Sequence, residues 1–401
     1  MEPILARLSL QNQNWKAVQV KSRVPLRDLV AAVGTMSSCA AWGATSSTSI
    51  FSPQSTPARE VNQLSYFVLV ICALILSGVS VLLIYALVRY RARPGENTEP
   101  PQVFGSVQIE LAWTIIPVLL IVMLFLGTAR VLFSVQDARK PASAVDVIVV
   151  GHQFWWEFRY PQYNVTTANE LHVPVSNPAF SRPTFMKLTS ADVMHSFWVP
   201  RLAGKTDLLP NRVNEMWIDP QQTGVYLGQC AQFCGMEHAK MLLRVYVDSP
   251  EQFQQWIANQ QKAPSEVAAL MAASLTGLNR GNGGNGTSPP NSPMTRMETA
   301  AQPAVSPQGI NAHDGKLVFE RQACINCHTV AGTVANGRYG PDLTHLMSRE
   351  TLAAGAMPNT PENLKKWIDD PNSFKPGSLM PAMHLTDRQD AQITAYLLTL
   401  K

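Results

Sequence analysis

The amino-acid sequence predicts a multidomain membrane protein with a two-helix transmembrane hairpin, an all-β sandwich and a small all-α domain. Three observations lead to this prediction. Two long apolar runs lie at about residues 64–88 and 111–132. Short β-branched and aromatic runs fill residues 142–260, and a Cys-x-x-Cys-His segment lies in a helical pattern that covers residues 310–401.

Composition already narrows the class of protein. Of the 401 residues, 46% are hydrophobic and only 15% are charged, a balance typical of a membrane component. The net charge is +4, and no basic run is interleaved with aromatic residues, so nucleic-acid binding is excluded. Four of the six cysteines form two close pairs, each followed by a histidine. That arrangement indicates metal or haem binding rather than a disulfide framework.

Residues 1–50 resemble an export signal, because several basic residues precede a modest apolar stretch. We expect this segment to be cleaved or poorly ordered. Cys39 stands in a poor version of the sequence that precedes a lipidated cysteine, and an incidental cysteine is the favoured interpretation.

The predicted hairpin covers residues 60–135. The 25 uncharged residues from 64 to 88 would span about 37 Å as a helix, and the uncharged part of the second run would span about 28 Å. The residues just after the first span are basic: Arg89, Arg91 and Arg93. By the positive-inside rule this loop is cytoplasmic, and everything after residue 130 lies outside.

Two polar or helix-breaking features belong to the second span. Pro117 is expected near its start, where a missing backbone donor does least harm. Glu110 lies at the mouth of the span, where a carboxylate interacts favourably with the helix dipole. A proton-collecting role for Glu110 is the alternative interpretation.

Residues 142–260 predict a β-sandwich, because runs such as 145–150, 153–160 and 242–247 are separated by turn residues. In the aromatic run, residues 154, 156, 158 and 160 share one face and are expected to pack in the core. A helix that starts at Ser249 closes the domain. Residues 261–309 are rich in Gly, Asn, Ser and Pro and predict a flexible linker.

The stretch CAQFCGMEHAKM contains the strongest chemical signal in the β-region. It supplies four soft or borderline ligands, which are Cys230, Cys234, His238 and Met241. Copper is the favoured metal, while a disulfide and a Cys/His zinc site remain alternatives. His195, in a strand-like run 35 residues upstream, is a candidate further ligand.

The last domain contains a haem-attachment motif. Cys324 and Cys327 are placed to add to the haem vinyl groups, and His328 is placed to ligate the iron. Met380, in a Gly/Pro-rich loop, is the first choice for the sixth ligand. Other candidates remain open: Met383 as the runner-up, Met347 and Met357 below it, and His384.

From the hairpin to the carboxy terminus, over about 330 residues, the chain resembles subunit II of the haem–copper cytochrome c oxidases in the version with a fused cytochrome c domain. The motifs named above carry the resemblance. It implies that the sandwich is a cupredoxin-like copper A domain and that the last domain is a class I cytochrome c.

The resemblance also implies a ligand set. Cys230 and Cys234 would bridge two coppers, His195 and His238 would each bind one, and Met241 would be a weak ligand. The last ligand would be the main-chain carbonyl of Gln232. Many relatives have glutamate at this position, where the side chain contributes to a magnesium site. Gln232 keeps the carbonyl but not the charge.

Two further positions take meaning from the resemblance. Glu110, in the setting IELAWTIIP, matches an acidic residue at the mouth of a proton channel that leads into subunit I. Phe154 stands where relatives usually have a tryptophan that receives electrons from soluble cytochrome c. A tethered haem domain makes that docking site less necessary.

The sequence therefore predicts subunit II of a respiratory cytochrome c oxidase, with oxygen chemistry in subunit I and proton translocation coupled to it. Its expected cofactors are dinuclear copper and covalent haem c. Its expected partners are subunit I, other oxidase subunits, and cytochrome c or another outer-face donor. It would lie in the bacterial inner membrane with the copper and haem domains on the periplasmic side. The alternatives are an electron-transfer subunit of a related reductase, such as a nitric oxide reductase, and a subunit that has lost its metal.

Overall fold

The computed structural model describes residues 48–91, 102, 105–177, 181–264 and 310–401. Most of the signal-like segment, with Cys39, lies outside the described residues, as do Arg93 and the linker from residue 265 onward.

Two helices form the hairpin: α1 (Thr56–Arg89) and α2 (Val107–Gln136). Both are long and apolar enough to cross a membrane. Each extends beyond its uncharged run because the β-domain holds its outer end. The Asp219 carboxylate accepts hydrogen bonds from the Ser55 hydroxyl and the Thr56 amide at 2.7 and 2.6 Å. Trp217 Nε1 donates to the Val135 carbonyl at 2.7 Å.

The expectation that Pro117 lies near the start of the second helix was wrong. Because α2 begins at Val107, Pro117 is its eleventh residue and lies inside the helix, where it removes one backbone donor from the ladder. The uncharged run was a poor guide to the helix start, since the first turn contains Glu110. A carboxylate is stabilising at that end of a helix.

The β-domain is a cupredoxin-like sandwich of two five-stranded sheets. In chain order its strands are β1 (Val145–His152), β2 (Trp155–Tyr160), β3 (Val165–Ala168), β4 (Glu170–Pro174), β5 (Thr184–Ser190), β6 (His195–Trp198), β7 (Thr206–Leu208), β8 (Asn214–Ile218), β9 (Gly224–Cys230) and β10 (Leu242–Asp248). One sheet has the order β3-β2-β1-β5-β8 and the other β4-β10-β9-β6-β7. The β1–β5 and β4–β10 pairs are parallel, and the remaining pairs are antiparallel.

The aromatic face of residues 153–160 packs in the sandwich core, as the alternation predicts. Trp156, Phe158 and Tyr160 are fully buried, and Phe154 is buried at the edge of the same cluster. Helix α3 (Pro250–Gln260) closes the domain with buried side chains of Phe253 and Ile257.

The carboxy-terminal domain is helical, with α4 (Ala312–Arg321), α5 (Cys324–Cys327), α6 (Pro361–Asp369) and α7 (Asp387–Leu397). A two-stranded ribbon joins β11 (Thr351–Leu352) to β12 (Met357–Pro358). Helices α4 and α7 meet at Gly315, where a Cβ would overlap the Gln392 carbonyl. Phe319, Tyr396 and Leu400 fill the core at this crossing. The helical pattern predicted for residues 310–401 is present, with α4 just before the haem-attachment motif and α7 near the carboxy terminus.

Candidate metal centre and haem-attachment segment

The copper-type ligands come from two neighbouring strands and one loop. His195 is the first residue of β6 and Cys230 the last residue of β9. These strands pair antiparallel, with Phe197 opposite Cys230, so the sheet brings residues 35 positions apart together. The loop from β9 to β10 then supplies Cys234, His238 and Met241. We call residues 230–241 the copper loop.

The ligand atoms of the copper loop and His195 converge. The two cysteine Sγ atoms are 3.8 Å apart, His195 Nδ1 is 3.9 Å from Cys230 Sγ, and His238 Nδ1 is 3.7 Å from Cys234 Sγ. Met241 Sδ lies 3.8 Å from Cys234 Sγ, and the Gln232 carbonyl oxygen lies 3.2 Å from Cys230 Sγ. Ligand atoms of His195, Cys230 and Cys234 all lie within 4.8 Å of one another, and the three residues are buried.

Two residues outside the ligand set hold it in place. Asp192 Oδ1 lies 2.8 Å from His195 Nε2, which fixes the ring with Nδ1 toward the thiols. The side-chain Nε2 of Gln153 donates to the Cys234 carbonyl at 2.6 Å, and the backbone amide of Gln153 donates to the Asp192 carboxylate at 2.7 Å. Sequence reasoning assigned neither residue a role, although the i, i+3 spacing of Asp192 and His195 was a signal for their contact.

The charges of the cluster are interdependent. The hydrogen bond from the Cys234 thiol, followed by that from His195, lowers the pKa of Cys230 to about 3. The same contact raises the pKa of Cys234, since Cys230 is the thiolate of the pair. Burial is the largest single influence and opposes a charge on His195, but the hydrogen bonds and charges of Asp192 and Cys230 together outweigh it and raise the pKa of His195. The site therefore already holds one thiolate among neutralising partners.

This donor set fits copper better than the two rivals. At 3.8 Å the sulfur atoms are far beyond the roughly 2.05 Å of a disulfide bond. A zinc site is ordinarily closed by four Cys, His or carboxylate ligands, whereas this cluster also presents a thioether and a carbonyl oxygen. Two soft thiolates with imidazole and thioether neighbours match the preference of copper.

In the carboxy-terminal domain, Cys324 and Cys327 lie on the single turn of α5, with His328 directly after it. His328 Nδ1 lies 2.8 Å from the Pro341 carbonyl. Because a carbonyl can only accept, Nδ1 carries the proton and Nε2 keeps its lone pair. Burial lowers the pKa of His328, so the ring is neutral. A neutral imidazole with a free Nε2 is the form that ligates haem iron.

Two glycines keep space around this segment. A Cβ on Gly340 would come within 2.5 Å of the His328 ring, and one on Gly337 would overlap the backbone of Asn326 and Cys327. The chain therefore passes closer to the attachment segment than any residue with a side chain would allow. These residues fit covalent haem c.

The candidates for the sixth ligand differ in position. Met357 is buried in the domain core and Met347 packs against it, so both serve as apolar filling. His384 is exposed with a left-handed backbone. Met380 and Met383 are both half-buried on the loop before α7, and the structure gives neither a contact with His328. The first two choices from the sequence remain predictions.

The two positions singled out for proton and electron input lie apart from each other. Glu110 is exposed in the first turn of α2, with its side chain close to Gly105. Phe154 packs its ring against Gly235 of the copper loop, where a Cβ would approach the ring to 2.9 Å. Phe154 is thus placed beside the candidate copper ligands, whereas Glu110 keeps both of its interpretations.

Three family models match consecutive parts of the chain. Residues 44–130 match the model described as cytochrome c oxidase subunit II, transmembrane domain, and residues 166–247 match its periplasmic domain. Residues 312–401 match the cytochrome c model. The order of the three models is the order of the hairpin, the sandwich and the helical domain.

Known proteins match over most of the chain. The cytochrome c oxidase subunit 2 of Alkalihalophilus pseudofirmus is 31% identical over 83% of this chain and 85% of its own length. That of Bacillus sp. (strain PS3) is 32% identical over 78% and 80%. Among solved structures, the periplasmic domain of subunit II of cytochrome oxidase from Bradyrhizobium japonicum is 27% identical with a TM-score of 0.28, covering 31% of this chain and 96% of that domain.

Proposed function

The chain belongs to the cytochrome c oxidase subunit II family and carries a cytochrome c domain, and on this premise we propose that it is the electron-input subunit of a respiratory oxidase. Electrons from a cytochrome c donor would pass through this chain to the haem–copper oxygen-reducing site of subunit I, coupled to proton translocation. The observation that carries the proposal is the buried convergence of His195, Cys230 and Cys234.

The residues that would hold the two cofactors are those of the copper loop with His195, and those of the attachment segment. When bound, the two groups would supply one-electron chemistry. The protein's own part is to keep both thiols of the copper loop close, to orient His195 through Asp192, and to keep His328 neutral with Nε2 free. Burial of the copper-loop cysteines excludes water from their sulfur atoms.

Position in the membrane follows from the hairpin. The two long helices anchor the chain, and both folded domains follow α2, on the outer side of the bacterial inner membrane by the positive-inside rule. The partners are then subunit I and the other oxidase subunits within the membrane, and an electron donor outside. Glu110 would face the cytoplasmic mouth of subunit I as a proton-path residue.

A truncation tests the direction of electron flow. Removing residues 310–401 is expected to abolish oxidation of soluble cytochrome c by the purified complex while copper in the β-domain is retained. If the truncated complex oxidises soluble cytochrome c at the rate of the full complex, the tethered domain is not the point at which electrons arrive. Identification of a copurifying large subunit distinguishes an oxidase from a nitric oxide reductase.

A further inference from the structure

The cytochrome c domain lies against the β-domain through a set of hydrogen bonds that join the two folds. The Leu242 amide of β10 donates to the Ala354 carbonyl at 3.1 Å, and the Tyr246 hydroxyl bonds Glu350 at 2.8 Å. Ala354 packs into a buried cluster with Trp155 and Ala168 of the β-domain. This contact involves the backbone of both domains and buries part of each.

A buried carboxylate from the β-domain reaches into the haem domain. Glu170, at the start of β4, is 2% exposed. It accepts hydrogen bonds from the Glu350 amide at 3.0 Å, the Thr351 amide at 2.9 Å and the Thr351 hydroxyl at 2.6 Å. A buried carboxylate that accepts three such bonds fixes its donors, because any other arrangement leaves a charge without partners.

A buried amine from the haem domain reaches back toward the copper loop. Lys375 is 3% exposed, and its Nζ donates to the Phe154 carbonyl at 3.2 Å and to the Ala353 carbonyl of its own domain at 3.3 Å. Burial lowers the pKa of Lys375 to about 8, and the charge of Glu237, a buried residue of the copper loop, opposes that shift. Lys375 thus bridges the two domains at Phe154, whose ring packs against Gly235 of the copper loop.

Each domain therefore inserts one buried charge into the other. We propose that Glu170 and Lys375 are positioning residues that hold the haem domain in one fixed arrangement on the copper loop, so that the tethered cytochrome is a docked donor rather than a swinging one. This inference rests on the proposed electron-transfer function. The local sequence around Glu170 and Lys375 does not indicate this positioning role, because each residue acts only across the domain boundary.

The experiment uses the purified full complex with the variants Glu170→Gln and Lys375→Met. Their matched controls are Glu362→Gln and Lys366→Met, on exposed positions of α6. The first readout is amide hydrogen exchange at residues 350–355 and 242–246. We expect at least tenfold faster exchange at these residues in both variants, because each variant removes a buried charged hydrogen bond. The exchange rates in the two controls should stay unchanged.

The second readout is the rate of haem oxidation by the copper site after rapid photoreduction, measured at increasing glycerol concentration. In the parent complex the rate should not depend on viscosity. In each variant it should fall about tenfold and become viscosity-dependent, while the haem spectrum stays unchanged. A bis-maleimide cross-link between cysteines introduced at Gln260 and Ser348, whose side chains lie 3.1 Å apart across the boundary, should restore the rate.

Two results would overturn the inference. One is a viscosity-dependent rate in the parent complex, and the other is unchanged exchange in both variants with intact haem spectra. The proposed function fails separately. If exchange rises in the variants but no electron leaves the haem in the parent complex, docking by Glu170 and Lys375 stands and the electron-transfer role does not.

Discussion

The copper loop and the haem-attachment segment each place two cysteines and a histidine close together, yet the fold organises them differently. At the copper loop, the protein alone brings three buried candidate ligands together, with His238 and Met241 beside them, and orients His195 through Asp192. At the attachment segment only His328 is fixed, by Pro341, while Met380 lies on a loop without a contact to it. The β-sandwich therefore positions its candidate metal ligands without a metal. In the helical domain the ligands on the two sides of the haem need not be brought together by the protein alone, because a covalently attached haem would help to hold them in place.

The sharpest test of this difference is removal of one thiol from the prepared site. Cys230→Ser is expected to abolish copper loading, because a hydroxyl does not replace a thiolate as a soft bridging ligand. Since the sheet and not the metal positions the loop, the β-domain should still fold. Metal analysis and circular dichroism measure the two effects, with Cys72→Ser in α1 as the matched control. Loss of the β-fold in Cys230→Ser would show that the metal organises the site.

The haem site can be tested at its less defined side. Met380→Ala is expected to remove a sulfur ligand and lower the reduction potential of the haem, because a thioether ligand favours the ferrous iron. Met383→Ala is the matched control and should leave the spectrum and the potential unchanged. If Met383→Ala alone changes them, the runner-up is the ligand and the first choice is wrong.

The contact between Asp192 and His195 should contribute measurably to the affinity of the site for copper. Asp192→Asn keeps the size of the side chain but removes the carboxylate that orients His195. We expect copper affinity to fall by roughly 10- to 100-fold, the usual effect of losing such a partner. Competition with a copper chelator measures it. An unchanged affinity would mean that the sheet fixes His195 without Asp192.

The smallest expected effect is a pH dependence of the stability of the haem domain. Burial raises the pKa of Asp390, in the haem domain, from 3.8 to about 6, so the charged form is disfavoured when the domain is folded. The domain therefore loses stability as pH rises from about 4 through 6. Asp390→Asn should raise its melting temperature by roughly 5 °C at pH 7 and leave it unchanged near pH 4. The exposed Asp387→Asn is the control, and an equal gain at both pH values would contradict the burial explanation.

Local sequence was enough for features whose partners are near in the chain. The spacing of Cys230, Cys234, His238 and Met241 marked the copper loop, and the motif at Cys324 marked the attachment segment. A helix start that is marked by a capping residue, such as Ser249, was equally predictable from the sequence. These features depend on residues within one or two turns of each other.

Features that depend on distant partners were not predictable in the same way. The outer end of α1 begins at Thr56 because Asp219, more than 160 residues away, accepts its hydrogen bonds. Pro117 was misplaced because the uncharged run concealed the true start of α2. Glu170 and Lys375 look like ordinary surface charges until the two domains are packed together.

The central claim is that one chain holds both a dinuclear copper site and a covalent haem. Metal and haem analysis of the purified complex tests it most directly. We expect two copper atoms and one haem c for each copy of this chain, with the copper lost in Cys230→Ser and the haem retained. Zinc in place of copper, or copper that survives the loss of Cys230, would contradict it.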